Sequence, residues 1–131
     1  MSRILVVDDD ESFRQPLCQT LLCAGHEVLA AGDGREALKL YRRQPIDLVI
    51  SDLVMPGKEG IETMLELRRL QPDLKIIAMS GGGYIQCIDY LQMARRLGAN
   101  RTLAKPFTAQ EVIEAVTSLL VDEVKPVEIT S

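Results

Sequence analysis

The chain of 131 residues and 14.5 kDa is the size of one ordinary domain, long enough to bury a core without staples and too short for a second folded effector domain. Hydrophobic residues at 47% and charged residues at 26% exclude a disordered chain, and no apolar run is long enough to span a bilayer. A net charge of −4 and a pI near 5.0 argue against a broad phosphate-backbone footprint, and the start Met-Ser-Arg-Ile-Leu lacks the parts of a secretory signal. The expectation is a soluble, cytoplasmic protein with no direct nucleic-acid and no membrane partner.

Apolar runs of strand length alternate with longer stretches of helical periodicity, and the alternation repeats five times. The first strand is about Arg3 to Val7. A helix near Ser12 to Ala24 follows, with Phe13, Leu17, Leu21 and Ala24 on one stripe, Pro16 placed early and Gly25 as its stop. The second strand is Glu27 to Ala31, and Asp33-Gly34 turns and caps a helix holding Ala37, Leu38 and Tyr41 that Pro45 closes. Leu48 to Ser51 is the third strand, then Met55-Pro56-Gly57 forces a loop before a helix from about Ile61 to Leu70, ended by Pro72. The fourth strand is Lys75 to Ser80, followed by Gly81-Gly82-Gly83 and a helix with Ile85, Ile88, Leu91 and Leu97 that stops at Gly98. Arg101 to Ala104 is the fifth strand. The last helix starts after Thr108, whose hydroxyl forms a capping box with Glu111, and carries Val112, Ile113, Val116, Leu119 and Leu120. Residues 1–121 read as one domain and residues 122–131 as a loose C-terminal tail.

Five such units joined by short loops define an α/β fold, a doubly wound parallel sheet with helices on both faces, because parallel strands require right-handed crossovers. In that architecture the carboxyl ends of all strands open onto one edge, where such folds bind ligands. Asp8-Asp9-Asp10 follows the first strand, Asp52 ends the third, Ser80 ends the fourth and Lys105-Pro106 follows the fifth. Carboxylates gathered there repel one another unless they protonate or share a multivalent cation, and hard oxygen ligands suit magnesium (Mg2+) held with waters and phosphate oxygens. Lys105 supplies a point charge for an anion and Ser80 a hydroxyl donor. Asp52 stands alone on the middle strand and is the candidate nucleophile toward phosphorus, whereas the adjacent Asp8 and Asp9 suit a metal. Asp10 reads as a helix cap. Cys18, Cys23 and Cys87 have no metal-ligand spacing and read as reduced and mostly buried, and the pairs Arg42-Arg43, Arg68-Arg69 and Arg95-Arg96 read as solvated helix faces.

The ordered set Val6-Val7-Asp8-Asp9, Asp52 with Met55-Pro56 and Gly60, Ser80, and Lys105-Pro106-Phe107 resembles the receiver domain of bacterial two-component response regulators, of the stand-alone type, over about residues 3 to 121. The resemblance implies a flavodoxin-like (βα)5 fold with strand order 2-1-3-4-5 and a phosphorelay role. Asp52 would accept phosphate from a histidine kinase or phosphotransfer protein. Asp8, Asp9, Asp52 and the Val54 carbonyl would hold Mg2+, while Ser80 and Lys105 would contact the phosphoryl group. It also implies a cis Lys105-Pro106 bond, a downstream protein target as output, and a monomer or weak homodimer that is not an enzyme beyond promoting its own phosphorylation and dephosphorylation. Rival readings are a pseudo-receiver that binds partners without phosphorylation, an aspartate-nucleophile phosphatase, and a flavodoxin-like cofactor binder. Thr102 departs from the family, whose members carry an aromatic three residues before the lysine, so that readout does not carry over; Tyr84 and Tyr90 are the candidate substitutes. Val54 and Gly82 lack the polar side chains that orient attacking water in the family, which predicts slow self-dephosphorylation.

Overall fold

Five short apolar runs become β1 (Arg3–Val7), β2 (Glu27–Ala31), β3 (Leu48–Asp52), β4 (Lys75–Ser80) and β5 (Arg101–Ala104), all parallel and ordered β2-β1-β3-β4-β5. The structure is a computed structural model that describes residues 2–53, 59–81, 92, 95, 96 and 98–124. Within it the helices are α1 (Glu11–Cys23), α2 (Gly34–Arg43), α3 (Glu59–Leu70) and α4 (Ala109–Val124). The doubly wound expectation and the strand order are both met. Val54, Met55-Pro56-Gly57, Gly82, Gly83, Tyr84, Tyr90, Cys87 and the apolar positions Ile85, Ile88, Leu91 and Leu97 lie outside the described residues.

Because side chains alternate across a strand, β1 feeds two cores at once. Leu5 and Val7 face one side with Ala37 of α2 and Met64 and Leu67 of α3, while Ile4 and Val6 face the other with Leu17 and Leu21 of α1 and Val112 and Val116 of α4. Ile4, Leu5, Val6 and Val7 are all at 0% exposure, which is why this strand reads as a continuous apolar run rather than an alternating one. Each such aliphatic side chain contributes roughly 1.5–3 kcal/mol on leaving water, so the middle of the sheet is the rigid base on which the edge residues stand.

Local signals set most boundaries. Asp33 caps α2 by accepting from the Glu36 N–H at 2.8 Å. Thr108 and Glu111 close the expected box, Glu111 N–H to Thr108 Oγ1 at 3.0 Å and Thr108 N–H to Glu111 Oε1 at 2.7 Å. Gly25 adopts φ +97° just past α1 and Gly98 φ +106°, conformations that a Cβ disfavours. Pro16 falls at the sixth position of α1, deeper than expected because the helix begins at Glu11; burial of Leu17 and Leu21 carries the helix past the lost N–H. α4 runs to Val124, into the stretch read as a tail.

Two surface readings need correction. Cys23 is exposed and Cys18 only half-buried, so neither thiol is a core residue. Arg69 is solvated beside Glu66, but Arg68 turns inward and donates to the carbonyls of Pro72 at 2.7 Å, Leu74 at 2.6 Å and Gly98 at 2.7 Å. Burial pulls its guanidinium below the usual arginine range against the charge of Asp73. It clasps the end of α3 to the approaches of β4 and β5.

Candidate functional site

The register brings the candidate residues to one edge. Val7 lies opposite Ser51, Asp52 opposite Met79 and Ser80 opposite Ala104, so Asp8, Asp52, Ser80 and Lys105 leave the sheet within a residue of one another. Asp8 is at 0% exposure and Asp52 at 4%, whereas Asp9 faces solvent. The Asp8 backbone is fixed from both sides: its N–H donates to Ala31 O at 3.1 Å and its carbonyl accepts from Arg14 Nη1 at 2.6 Å. Its Oδ1 accepts from the Asp10 N–H at 3.0 Å.

Asp10 belongs to the helix. Its Oδ1 accepts from the Ser12 N–H at 3.0 Å and the Ser12 hydroxyl at 2.6 Å, and the hydroxyl bond is the main reason its carboxyl sits below the usual aspartate range. Gly60 explains how α3 can begin so close to Asp52. A Cβ there would come within 2.7 Å of Leu53 Cα, closer than real Cβ contacts allow, so only glycine lets the first turn of α3 lie on the backbone after the aspartate.

One carboxylate oxygen each from Asp8, Asp9 and Asp52 can be found within 4.8 Å of the others. Lys105 Nζ faces this group, 2.8 Å from Asp8 Oδ2 and 3.2 Å from Asp52 Oδ2. Burial alone draws the Lys105 ammonium down, but the bond to Asp8 and the charges of Asp52 and Asp8 outweigh it and hold the group above the ordinary lysine value. Three carboxylates against one ammonium leave net negative charge in a confined place, and the donors are hard oxygens with room for water. The residues fit a divalent magnesium-type cation. Asp9, Asp52, Lys105 and Gly81 line an open pocket of about 600 Å³ at this point, with room for a phosphoryl group.

Ser80 is fully buried at the end of β4, and its carbonyl accepts the Lys105 N–H at 2.8 Å. The Lys105-Pro106 bond is cis, as the resemblance implied. Thr102 is half-buried on β5 opposite Ala78, and Val54 lies outside the described residues. One neighbour was missed from sequence. Phe13, read only as part of the α1 stripe, places its ring under Lys105 Nζ at 4.1 Å from the centroid and lines the pocket.

A doubly wound flavodoxin-like domain with an acidic pocket countered by a lysine at its carboxyl edge is the class that fold and site define. The model of the response regulator receiver domain matches residues 4–117, and the chain belongs to that family. It is 36% identical over 115 residues to response regulator protein FleR of Pseudomonas aeruginosa, covering 88% of this chain and 24% of that protein. It is 31% identical to sporulation initiation phosphotransferase F of Bacillus subtilis, covering 90% of this chain and 93% of that one. A receiver domain protein from Clostridium thermocellum superposes with a TM-score of 0.85 at 30% identity, covering 94% of this chain and 97% of the other. The chain spans about a quarter of the length of FleR and of the Azospirillum brasilense regulator NtrC. The family is that of response regulator receivers, and two of these relatives are by name a response regulator and a sporulation initiation phosphotransferase. Among the described residues no helix is long and apolar enough to cross a membrane.

Proposed function

We propose that Asp52 is the phosphoacceptor of this receiver and that Asp8 and Asp9, with Asp52 and the Val54 carbonyl, hold magnesium beside it. The observation that carries the reading is the convergence on one pocket of Asp52, two further carboxylates and the Lys105 ammonium. An Asp52 oxygen attacks phosphorus in line. As the new O–P bond forms, the N–P bond of a phosphohistidine donor breaks and its electron pair leaves with the imidazole. Lys105 meets the charge of the transferred group and Ser80 offers its hydroxyl to a phosphoryl oxygen. Magnesium, when bound, supplies the charge neutralisation that lets a carboxylate approach an anionic phosphoryl group.

The donor is a histidine kinase or phosphotransfer protein, and the output is contact with a downstream protein target in the cytoplasm. The chain promotes only its own phosphorylation and dephosphorylation. Incubation with acetyl phosphate and magnesium, followed by intact mass measurement, tests this: the parent gains one phosphoryl mass and Asp52→Asn does not. A parent that gains none, or an Asp52→Asn variant that gains it equally, contradicts the assignment.

A further inference from the structure

We propose that Phe13 is a positioning residue for Lys105: its ring face holds the ammonium at the mouth of the acidic pocket through an attraction that does not depend on the carboxylates. The proposal rests on the phosphoacceptor reading of that pocket and deepens it. Lys105 Nζ lies 4.1 Å from the Phe13 centroid, well inside the roughly 6 Å range of cation–π attraction. The lysine side chain is only 17% exposed, so water screens this attraction weakly.

The ring itself is held. Its partner is Phe107, edge to face at 5.5 Å between centroids and 86° between planes, and Phe107 follows Lys105 by two residues in the same loop. Phe13 is thus set between the lysine it supports and an aromatic anchored beside that lysine. Its backbone sits in the first turn of α1, which Asp10 caps and where Arg14 ties the helix back to the Asp8 carbonyl.

The energetic argument concerns what remains when the carboxylates are otherwise engaged. Asp8 and Asp52 draw the ammonium toward the pocket floor at 2.8 and 3.2 Å. Their pull weakens to the extent that their charge is shared with a bound cation. The quadrupole of the ring does not change in that event. Its share in fixing the ammonium therefore grows at the moment the phosphoryl group has to be met.

The test joins a spectroscopic and a kinetic readout on the full chain. In proton–carbon spectra the Lys105 methylenes, assigned by their loss in Lys105→Arg, shift upfield in the parent through the ring current, stay shifted in Phe13→Tyr and return to ordinary values in Phe13→Leu. With acetyl phosphate at saturating magnesium, Phe13→Leu phosphorylates about three- to fivefold more slowly. Phe13→Tyr stays within about twofold of the parent, and half-saturation by magnesium moves in neither variant. A parental rate in Phe13→Leu, an equal loss in both variants, or ordinary methylene shifts in the parent overturns the proposal. The parental shifts need no Phe13 variant, only the Lys105→Arg assignment, so they decide the matter if Phe13→Leu fails to fold. A parent that takes up no phosphate refutes the phosphoacceptor reading instead, and the shifts still report whether the ring holds the ammonium.

Discussion

Lys105 Nζ stands 2.8 Å from Asp8 Oδ2 although 97 residues separate the two in sequence. The contact exists because β1 and β5 both end at the carboxyl edge of one parallel sheet, separated by β3 and β4. It joins a residue with no exposure to one that reaches the pocket mouth, and so links the floor of the site to the place where a ligand enters.

That contact makes alkaline stability depend on Lys105. Its folded-state value is raised above the ordinary 10.5, so the contact contributes fully below about pH 10.5 and is lost as pH rises through the higher folded value. Denaturant melts of parent and Lys105→Met between about pH 9 and 11.5 check this. The parent declines more steeply at the top of the range and the gap between the two proteins narrows; a constant gap contradicts the linkage.

Asp9 is exposed yet belongs to the carboxylate group, so its neutralisation separates metal binding from folding. Asp9→Asn relieves like-charge repulsion and raises the metal-free melting temperature by about a few degrees. Calorimetric titration with magnesium shows affinity reduced by roughly tenfold or more, as expected when one of the few charged oxygen ligands is lost. Unchanged affinity removes Asp9 from the metal set.

Gly60→Ala places a methyl group within 2.7 Å of Leu53 Cα. Backbone on both sides has to shift, and the variant loses roughly 1–3 kcal/mol of unfolding free energy in urea melts, the scale of an overpacked site. Phosphorylation of whatever remains folded also slows, because the displaced backbone carries Asp52. A change under about 0.5 kcal/mol shows that α3 can retreat freely.

In sequence, Val54 is two residues past Asp52 and Gly82 two past Ser80, positions at which the family resemblance implies polar side chains that orient attacking water. The phosphorylated protein, freed of acetyl phosphate and kept in magnesium buffer, therefore holds its phosphate for at least tens of minutes. Decay within seconds without a phosphatase contradicts the expectation.

Much of this site was legible because each candidate stands at the end of a strand-length run: Val7 before Asp8 and Ser51 before Asp52 in buried strands, Ala104 before Lys105 in a half-exposed one. Strand ends are recognisable from composition, and the parallel topology alone then gathers them. The partners of the lysine were not legible. Phe13 shares a helical stripe with Leu17 and Leu21, and core spacing does not tell which member of the stripe reaches past the helix end to a loop following the fifth strand. Arg68 escaped for a related reason. Next to Arg69 it reads as one of two solvated cations, and only the tertiary approach of the Pro72, Leu74 and Gly98 carbonyls turns it inward.

Chemical trapping of the phosphorylated residue tests the central claim most directly. The protein is treated with acetyl phosphate and magnesium, reduced with borohydride, which converts an acyl phosphate to an alcohol, and digested for peptide mass mapping. The account predicts homoserine at position 52 in the peptide that begins after Arg43 or Lys39, with Asp8, Asp9 and Asp10 unmodified. Homoserine at any of those three positions with Asp52 intact would contradict it.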